Sequence, residues 1–303
     1  MKYSIVNGRI KDFNSGSGNN QTIEIVSYKK GKVPVNENPQ KQSILNSIFS
    51  QKANRYEYFG KFDVLCLNEI HIEKSFNILT PIYVILEENK ITFYTFDSNK
   101  ITELLTKIMA DPVIRVDTCD VLYYLVHSFI EGDLQHLEDI EDKLAKLEAS
   151  IFSDSAGKKF SKKILSLKKH LMQIELYYEQ FINLLADFMQ NQNDLLSSSS
   201  IAKFSMIDSK IDKLISKTRN LLSYASEIRS TYLAEMDLQL NRSMKILTII
   251  SVIVLPLSLI VGWYGMNFKM PEYASSYSYP ILIVVCVLII ILLIRFFKKN
   301  KWF

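Results

Sequence analysis

Between Lys2 and Phe96 the chain alternates apolar and polar residues over short runs. Residues 3–6 (Tyr-Ser-Ile-Val), 22–26 (Thr-Ile-Glu-Ile-Val) and 63–67 (Asp-Val-Leu-Cys-Leu) are rich in β-branched and aromatic side chains, which suits half-buried strands. Residues 82–86 and 91–96 flank the polar connection Glu87-Glu88-Asn89-Lys90, a length that hairpins use. The Gly, Ser and Asn of 14–20 predict a loop, and because no Gly-Lys-Ser/Thr follows, it is not a phosphate-binding loop.

Beyond about Asn99 the period becomes helical. One helix is predicted from near Thr118 to Phe152. Leu134, Leu137, Ile140, Leu144 and Leu147 recur at three- and four-residue steps, Asp139, Glu141 and Asp142 lie on solvated faces, and 153–157 break the pattern. A second helix runs from about Ser161 to Leu196 through Ile164, Leu167, Leu171, Ile174 and Tyr178, until serines 197–200 interrupt it. A third begins near Ile201 and meets no proline before Pro256, so it can continue to Tyr264; helices of this kind form an antiparallel bundle with a stalk.

Residues 246–264 carry no charge, and 281–294 form a second apolar run extended past Arg295 by Phe296 and Phe297. The first spans about 28 Å as a helix, enough for a hydrocarbon core of about 30 Å. The second is shorter and relies on a snorkelling Arg295 and on Tyr277 and Tyr279 as interfacial anchors. Arg242 and Lys245 precede the pair, and Arg295, Lys298, Lys299 and Lys301 follow it, while the connection 265–279 carries only Lys269. The positive-inside rule then puts both termini in the cytoplasm and the connection outside, in the plasma or inner membrane. Residues 1–11 lack the apolar run of a secretory signal.

The expected organisation is an α+β cytoplasmic part with a mixed sheet over 1–115, a long-helix bundle and stalk over 116–240, and a membrane part over 241–303. Within the last, spans are expected at about 246–264 and 280–297, with a basic tail at 298–303.

Of the 303 residues 48% are hydrophobic and 22% charged, which excludes a disordered chain, and the net charge of +4 is too small to argue for nucleic acid. Cys66, Cys119 and Cys286 are isolated, and read as ordinary buried thiols. His71, His127, His136 and His170 show no metal-ligand spacing and read as structural or surface histidines. The acidic run 131–142 and the basic run 158–169 read as solvated helix faces, with a hard-cation site as the alternative for the first. No nucleophile-and-base pair or catalytic metal cluster can be assembled, so no enzyme and no organic cofactor are expected.

The first span has internal order. Asn241, Met244, Thr248, Ser251, Leu255, Ser258, Gly262 and Gly265 recur at alternating steps of three and four, and every serine and threonine of the span lies among them. Polar groups in hydrocarbon turn toward protein or water. Two readings follow: small-residue helix packing, or the wall of a water-filled path, which needs further copies of the chain in a closed ring.

Directly after this span stands Tyr264-Gly265-Met266-Asn267-Phe268, followed by Met270-Pro271-Glu272. A Gly-Met-Asn triplet arises by chance in about one chain in fifty of this length, and at such a boundary far more rarely. With residues 244–248 (Met-Lys-Ile-Leu-Thr), Pro256, Tyr279-Pro280 and the basic ending Lys298-Lys299-Asn300-Lys301-Trp302, the chain resembles the CorA family of magnesium transporters. The resemblance implies a homopentameric funnel in the lipid bilayer, with the long helix lining a pore for Mg²⁺, and with Co²⁺ and Ni²⁺ as further cargo. It implies that Asn267 forms a ring at the outer entrance and contacts hydrated Mg²⁺, that Gly265 and Met266 shape that ring, and that Glu272 belongs to the outer loop. It further implies that Ser258, Leu255, Leu247, Met244 and Asn241 line the pore, a set overlapping the stripe that also holds Thr248 and Ser251. The family's cytoplasmic Mg²⁺ sensor uses a stalk carboxylate at the position of Ser230; Glu227, Glu235 and Asp237 are the nearby substitutes. Two other readings stay open, a zinc-transporting branch with the same signature and a non-conducting membrane-anchored coiled-coil scaffold or sensor.

Overall fold

In a computed structural model describing residues 1–13, 20–28, 39–48, 53–68, 81–111, 113–152, 159–267, 271–274, 277–300 and 302, the β-branched runs pair into one sheet. Its strands are β1 (Lys2–Val6), β2 (Arg9–Asp12), β3 (Gln21–Ser27), β4 (Arg55–Tyr58), β5 (Asp63–Leu67), β6 (Ile82–Glu87) and β7 (Lys90–Thr95), in the order β2-β1-β3-β7-β6-β5-β4. Only β3 and β7 run parallel, with Ile23 opposite Ile91 and Ile25 opposite Phe93. The sheet is therefore mixed, as the sequence predicts. The loop expected at 14–20 falls almost wholly outside the described residues.

Three further features shape the sheet. β1 and β2 turn through Asn7-Gly8, both at positive φ (49° and 74°), the dipeptide that a two-residue hairpin turn selects. The β6–β7 connection is two residues, Glu88 and Asn89, because Glu87 and Lys90 still pair across the ladder. A helix α1 (Pro39–Ile48) lays Leu45 and Ile48 on one sheet face, against Val64, Cys66, Tyr83, Ile85 and Tyr94.

β5 is buried at every position because both of its faces are covered. The second face carries Asp63 and Leu65, and there the ring of Tyr56 meets Phe188 at 5.5 Å. Burial holds the thiols of Cys66 and Cys119 up near pKa 12, so both are inert, as expected of core cysteines.

The helices are α2 (Ser98–Ala110), α3 (Thr118–Phe129), α4 (Asp133–Phe152), α5 (Phe160–Met189), α6 (Ser198–Tyr264) and α7 (Ser278–Lys299). The helix expected to run unbroken from 118 to 152 is two. The first ends at Phe129 with Ile130 as its cap, and Gly132 at φ 88°, a conformation a helix interior does not contain, stands between it and α4. The reciprocal cap of Asp117 and Asp120 starts α3. The second predicted helix stops at Met189 rather than Leu196, because Asn191 at φ 52° turns the chain and its side chain bonds both the N–H and the carbonyl of Leu196. The serine run ends that break, and Ser197 Oγ accepts the N–H of Ser200 at the start of α6. The predicted break at 153–157 lies outside the described residues.

The apolar spacing sets the packing. Leu137, Ile140 and Leu144 of α4 are buried, as are Ile164, Leu171, Ile174 and Tyr178 of α5, whereas Leu134 points to solvent. Within this layer the buried Tyr178 hydroxyl donates to Asp133 at 2.8 Å. Lys217 of α6 pairs with Glu141, Arg219 binds Glu175 and Glu179 at 2.7 Å each, and Lys203 holds Asp120. The acidic faces are thus partly neutralised from α6.

The chain divides into two compact units, Met1–Ile228 and Arg229–Phe303, and the sheet with its helices forms the first. The turn between α5 and α6 is anchored to the sheet by Asn193, whose Nδ2 donates to Oδ1 of the fully buried Asp63 at 2.6 Å. Burial pushes the Asp63 carboxyl up, and the Asn193 bond opposes that rise by favouring the charged form. Asn193→Ala should cost about 1–3 kcal/mol at pH 7, where a buried carboxylate loses its donor. The cost should shrink as the pH falls and Asp63 takes up a proton, above its ordinary value of 3.8. Thermal unfolding in detergent at pH 7 and pH 4 checks both statements.

Candidate functional site

The second unit holds the end of α6, a 3₁₀ turn over Pro271–Ala274, and α7. Both helices are long and apolar enough to cross a membrane, and α6 ends at Tyr264, where the sequence puts the end of the first span. At 22 residues α7 is about 33 Å long. Lys298 and Lys299 close its last turn, and Trp302 folds back so that its ring lies 5.4 Å from Phe297.

In this part of α6 one face is withdrawn from the surface. Ile249 is 6% exposed, and Ile253, Pro256, Leu257, Ile260 and Tyr264 are partly covered. In α7 the corresponding line is Leu282, Cys286, Ile289, Leu293 and the buried Phe297. At 100° per residue, the stripe from Asn241 through Met244, Thr248, Ser251, Leu255, Ser258 and Gly262 to Gly265 lies on the opposite side of α6 from its covered face. Every one of these residues is exposed, Met244 at 66% and Leu255 at 69%, and Leu247 beside them at 65%. The stripe is therefore not the surface on which the chain's own second span packs.

The hydroxyls of the stripe have a fixed sense. Thr248 Oγ1 donates to the Met244 carbonyl at 2.8 Å, and Ser251 Oγ to that of Leu247 at 2.9 Å. Their protons are committed to their own helix, so what they turn outward is oxygen lone pairs. Such a surface accepts hydrogen bonds, which is what water bound to a cation offers.

At the end of α6 the N–H of Gly265 bonds the Val261 carbonyl at 2.9 Å and that of Met266 the Trp263 carbonyl at 3.3 Å. Asn267 is thereby presented, exposed, just past a helix C-terminus, whose carbonyl dipoles favour positive charge. Glu272 lies exposed in the 3₁₀ turn, and its carbonyl accepts from the Ser278 hydroxyl at the start of α7. Phe268 and Met270 lie outside the described residues.

The stalk carboxylates do not converge. Glu235 and Asp237 stand about 160° apart around α6, with Glu227 on a third line between them. Among the described residues no three His, Cys, Asp or Glu side chains are grouped to hold a metal. The histidines, by contrast, are not all scattered: His136 and His170 meet, and His127 lies 2.9 Å from Lys210. Burial and that lysine together lower the pKa of His127. His71 lies outside the described residues.

The family described as CorA-like Mg²⁺ transporter protein matches residues 35–299, most of the chain. This chain belongs to the CorA family. It is similar to the cobalt/magnesium transport protein CorA of Thermotoga maritima, with 27% identity over 192 residues, 63% of this chain and 54% of that protein. With the magnesium transport protein CorA of Campylobacter jejuni it shares 28% over 219 residues, 69% of this chain and 63% of that one. The chain thus spans between half and two thirds of the length of these curated relatives. Among solved structures the complete CorA magnesium transporter of Methanocaldococcus jannaschii superposes with a TM-score of 0.79 at 18% identity, over 100% of this chain and 99% of that one. The ZntB cytoplasmic domain of Vibrio parahaemolyticus gives 0.60 at 9%, over 78% and 98%. At these identities both are likenesses of fold.

Two glycines separate the chain's own needs from those of an assembly. A Cβ on Gly265 would sit 2.9 Å from the Val261 carbonyl oxygen, whereas one on Gly262 meets nothing within 4 Å. Gly265→Ala should distort the helix end that presents Asn267 and cost about 1–3 kcal/mol in thermal unfolding. Gly262→Ala should leave the fold of the chain unchanged, and its effect should appear as altered oligomer size on gel filtration.

Proposed function

We propose that copies of this chain close into a homopentamer in the cell membrane, in which α6 is innermost and Mg²⁺ enters passively, with Co²⁺ and Ni²⁺ as further cargo. The observation that carries this reading is the stripe of outward-facing acceptors and small residues on the side of α6 that α7 leaves bare. Family membership and the names of the two bacterial relatives, a cobalt/magnesium and a magnesium transport protein, support the choice of ion.

The chemistry fits a hydrated ion. Mg²⁺ dehydrates reluctantly and holds its oxygens at 2.0–2.1 Å. A ring of neutral Asn267 amides at the outer mouth, shaped by Gly265 and Met266, accepts hydrogen bonds from the ion's waters without stripping them. The helix C-terminal carbonyls add a cation-favouring field there. A carboxylate ring would hold the ion longer, and the stripe contains no charge. Below the mouth the acceptors Ser258, Ser251, Thr248 and Asn241 alternate with apolar Leu255, Leu247 and Met244, which close the path by narrowing and dewetting. Glu272 keeps negative charge near the entrance.

With both termini and the first unit cytoplasmic, the orientation that the basic flanks favour, inward movement of a divalent ion gains about 4.6 kcal/mol per 100 mV of inside-negative potential. The membrane potential drives the flux, and the cytoplasmic part gates it. Because the stalk carboxylates Glu227, Glu235 and Asp237 diverge around one helix, a sensor built from them draws on more than one copy of the chain.

Mg²⁺ influx into liposomes holding the purified protein, under an inside-negative potential, tests the proposal. Wild type should conduct, and Asn267→Ala should lose at least about tenfold, the effect of about 1.4 kcal/mol at the rate-setting ring. Flux of Zn²⁺ but not Mg²⁺ would move the chain to a zinc branch. Equal function in the variant, or no flux of either ion from a correctly assembled protein, would overturn conduction in favour of a scaffold.

A further inference from the structure

His136 on α4 and His170 on α5 lie 34 positions apart in sequence, yet their Nε2 atoms are 3.3 Å from each other. The ring centroids are 5.6 Å apart and the planes cross at 70°. We propose that this pair is a bis-imidazole site for a borderline divalent transition-metal ion of the Zn²⁺ or Co²⁺ class, clamping α4 to α5. It does not depend on the conduction reading.

The spacing is the first argument. Two nitrogens bound to one tetrahedral metal at 2.0–2.1 Å are separated by about 3.3–3.4 Å, the edge of the tetrahedron. The rings already stand at that separation, one from each of two packed helices. The ligand type is the second argument. Neutral imidazole suits Zn²⁺, Co²⁺ and Ni²⁺, whereas Mg²⁺ takes oxygen ligands. The site thus selects against the ion proposed for the pore.

The surroundings give the site its character. Both histidines are partly exposed, so ions and completing waters reach them from solvent. With no third His, Cys, Asp or Glu grouped with them among the described residues, the site is an exchangeable one rather than a closed structural centre. One turn before His136, Asp133 already ties α4 to Tyr178 of α5 through a buried hydrogen bond. The helices are therefore paired without metal. An ion adds a second tie farther along the same contact.

The test is Zn²⁺ titration of the full-length protein in detergent by calorimetry, with Mg²⁺ in excess throughout. Wild type should bind one Zn²⁺ per chain. His136→Gln and His170→Gln should each weaken binding at least about tenfold while keeping the metal-free circular dichroism and melting midpoint. Zn²⁺ should raise the melting midpoint of wild type and not of the histidine variants. Co²⁺ added to wild type should give the intense visible absorption of tetrahedral nitrogen coordination, a readout that stands even where a variant folds poorly. Zn²⁺ binding unchanged in the double variant, competition by Mg²⁺, or no binding and no Co²⁺ band in wild type would overturn the site and leave a histidine pair that shares a proton.

Discussion

A polar group inside hydrocarbon must find a partner, and in this chain that constraint fixes more than any single contact. The backbone of α6 meets it by remaining helical through Pro256 to Tyr264. Thr248 and Ser251 meet it by bonding their own helix, and in doing so they expose acceptors along one line. That line lies opposite the face that Ile249 and Ile253 withdraw, and within one chain it stays exposed. Further copies of the chain closing around that line are what the proposed assembly supplies.

The first unit obeys a different constraint. Its helices carry strong charge on their outer faces, and α6 supplies the opposite sign through Lys203, Lys217 and Arg219. Exposed pairs of this kind add little stability each; they set which faces meet and in what register. The energy sits in the apolar spacing beneath them, in the buried Leu137, Ile140 and Leu144 of α4 and Leu171, Ile174 and Tyr178 of α5. Buried polar links such as Asp133 with Tyr178 and Asp63 with Asn193 then admit one alignment only, because slipping either helix or turn would strand a carboxylate.

How legible each part is in the sequence follows from the same physics. The spans and the spacing of the stripe are readable because hydrocarbon tolerates few alternatives. Strands β5, β6 and β7 are readable because strongly apolar short runs have few other uses. β2 and β4 are four residues each and mostly polar, so alternation is too short to register, although Asn7-Gly8 marks the hairpin that makes β2. The break at Gly132 is hidden because leucines on both sides keep the helical step. The histidine pair leaves no local trace at all, since its proximity is created by two helices folding back on one another.

The neutral side chains of the α6 stripe have a consequence for protons in any passage that they line. Amides, hydroxyls and aliphatic groups neither gain nor lose a proton over the physiological range. A passage lined with them keeps the same charge in acid and in base, so acidification cannot silence it at the wall. Nor do its side chains offer the titrating relay through which protons leak across carboxylate- or histidine-lined pathways.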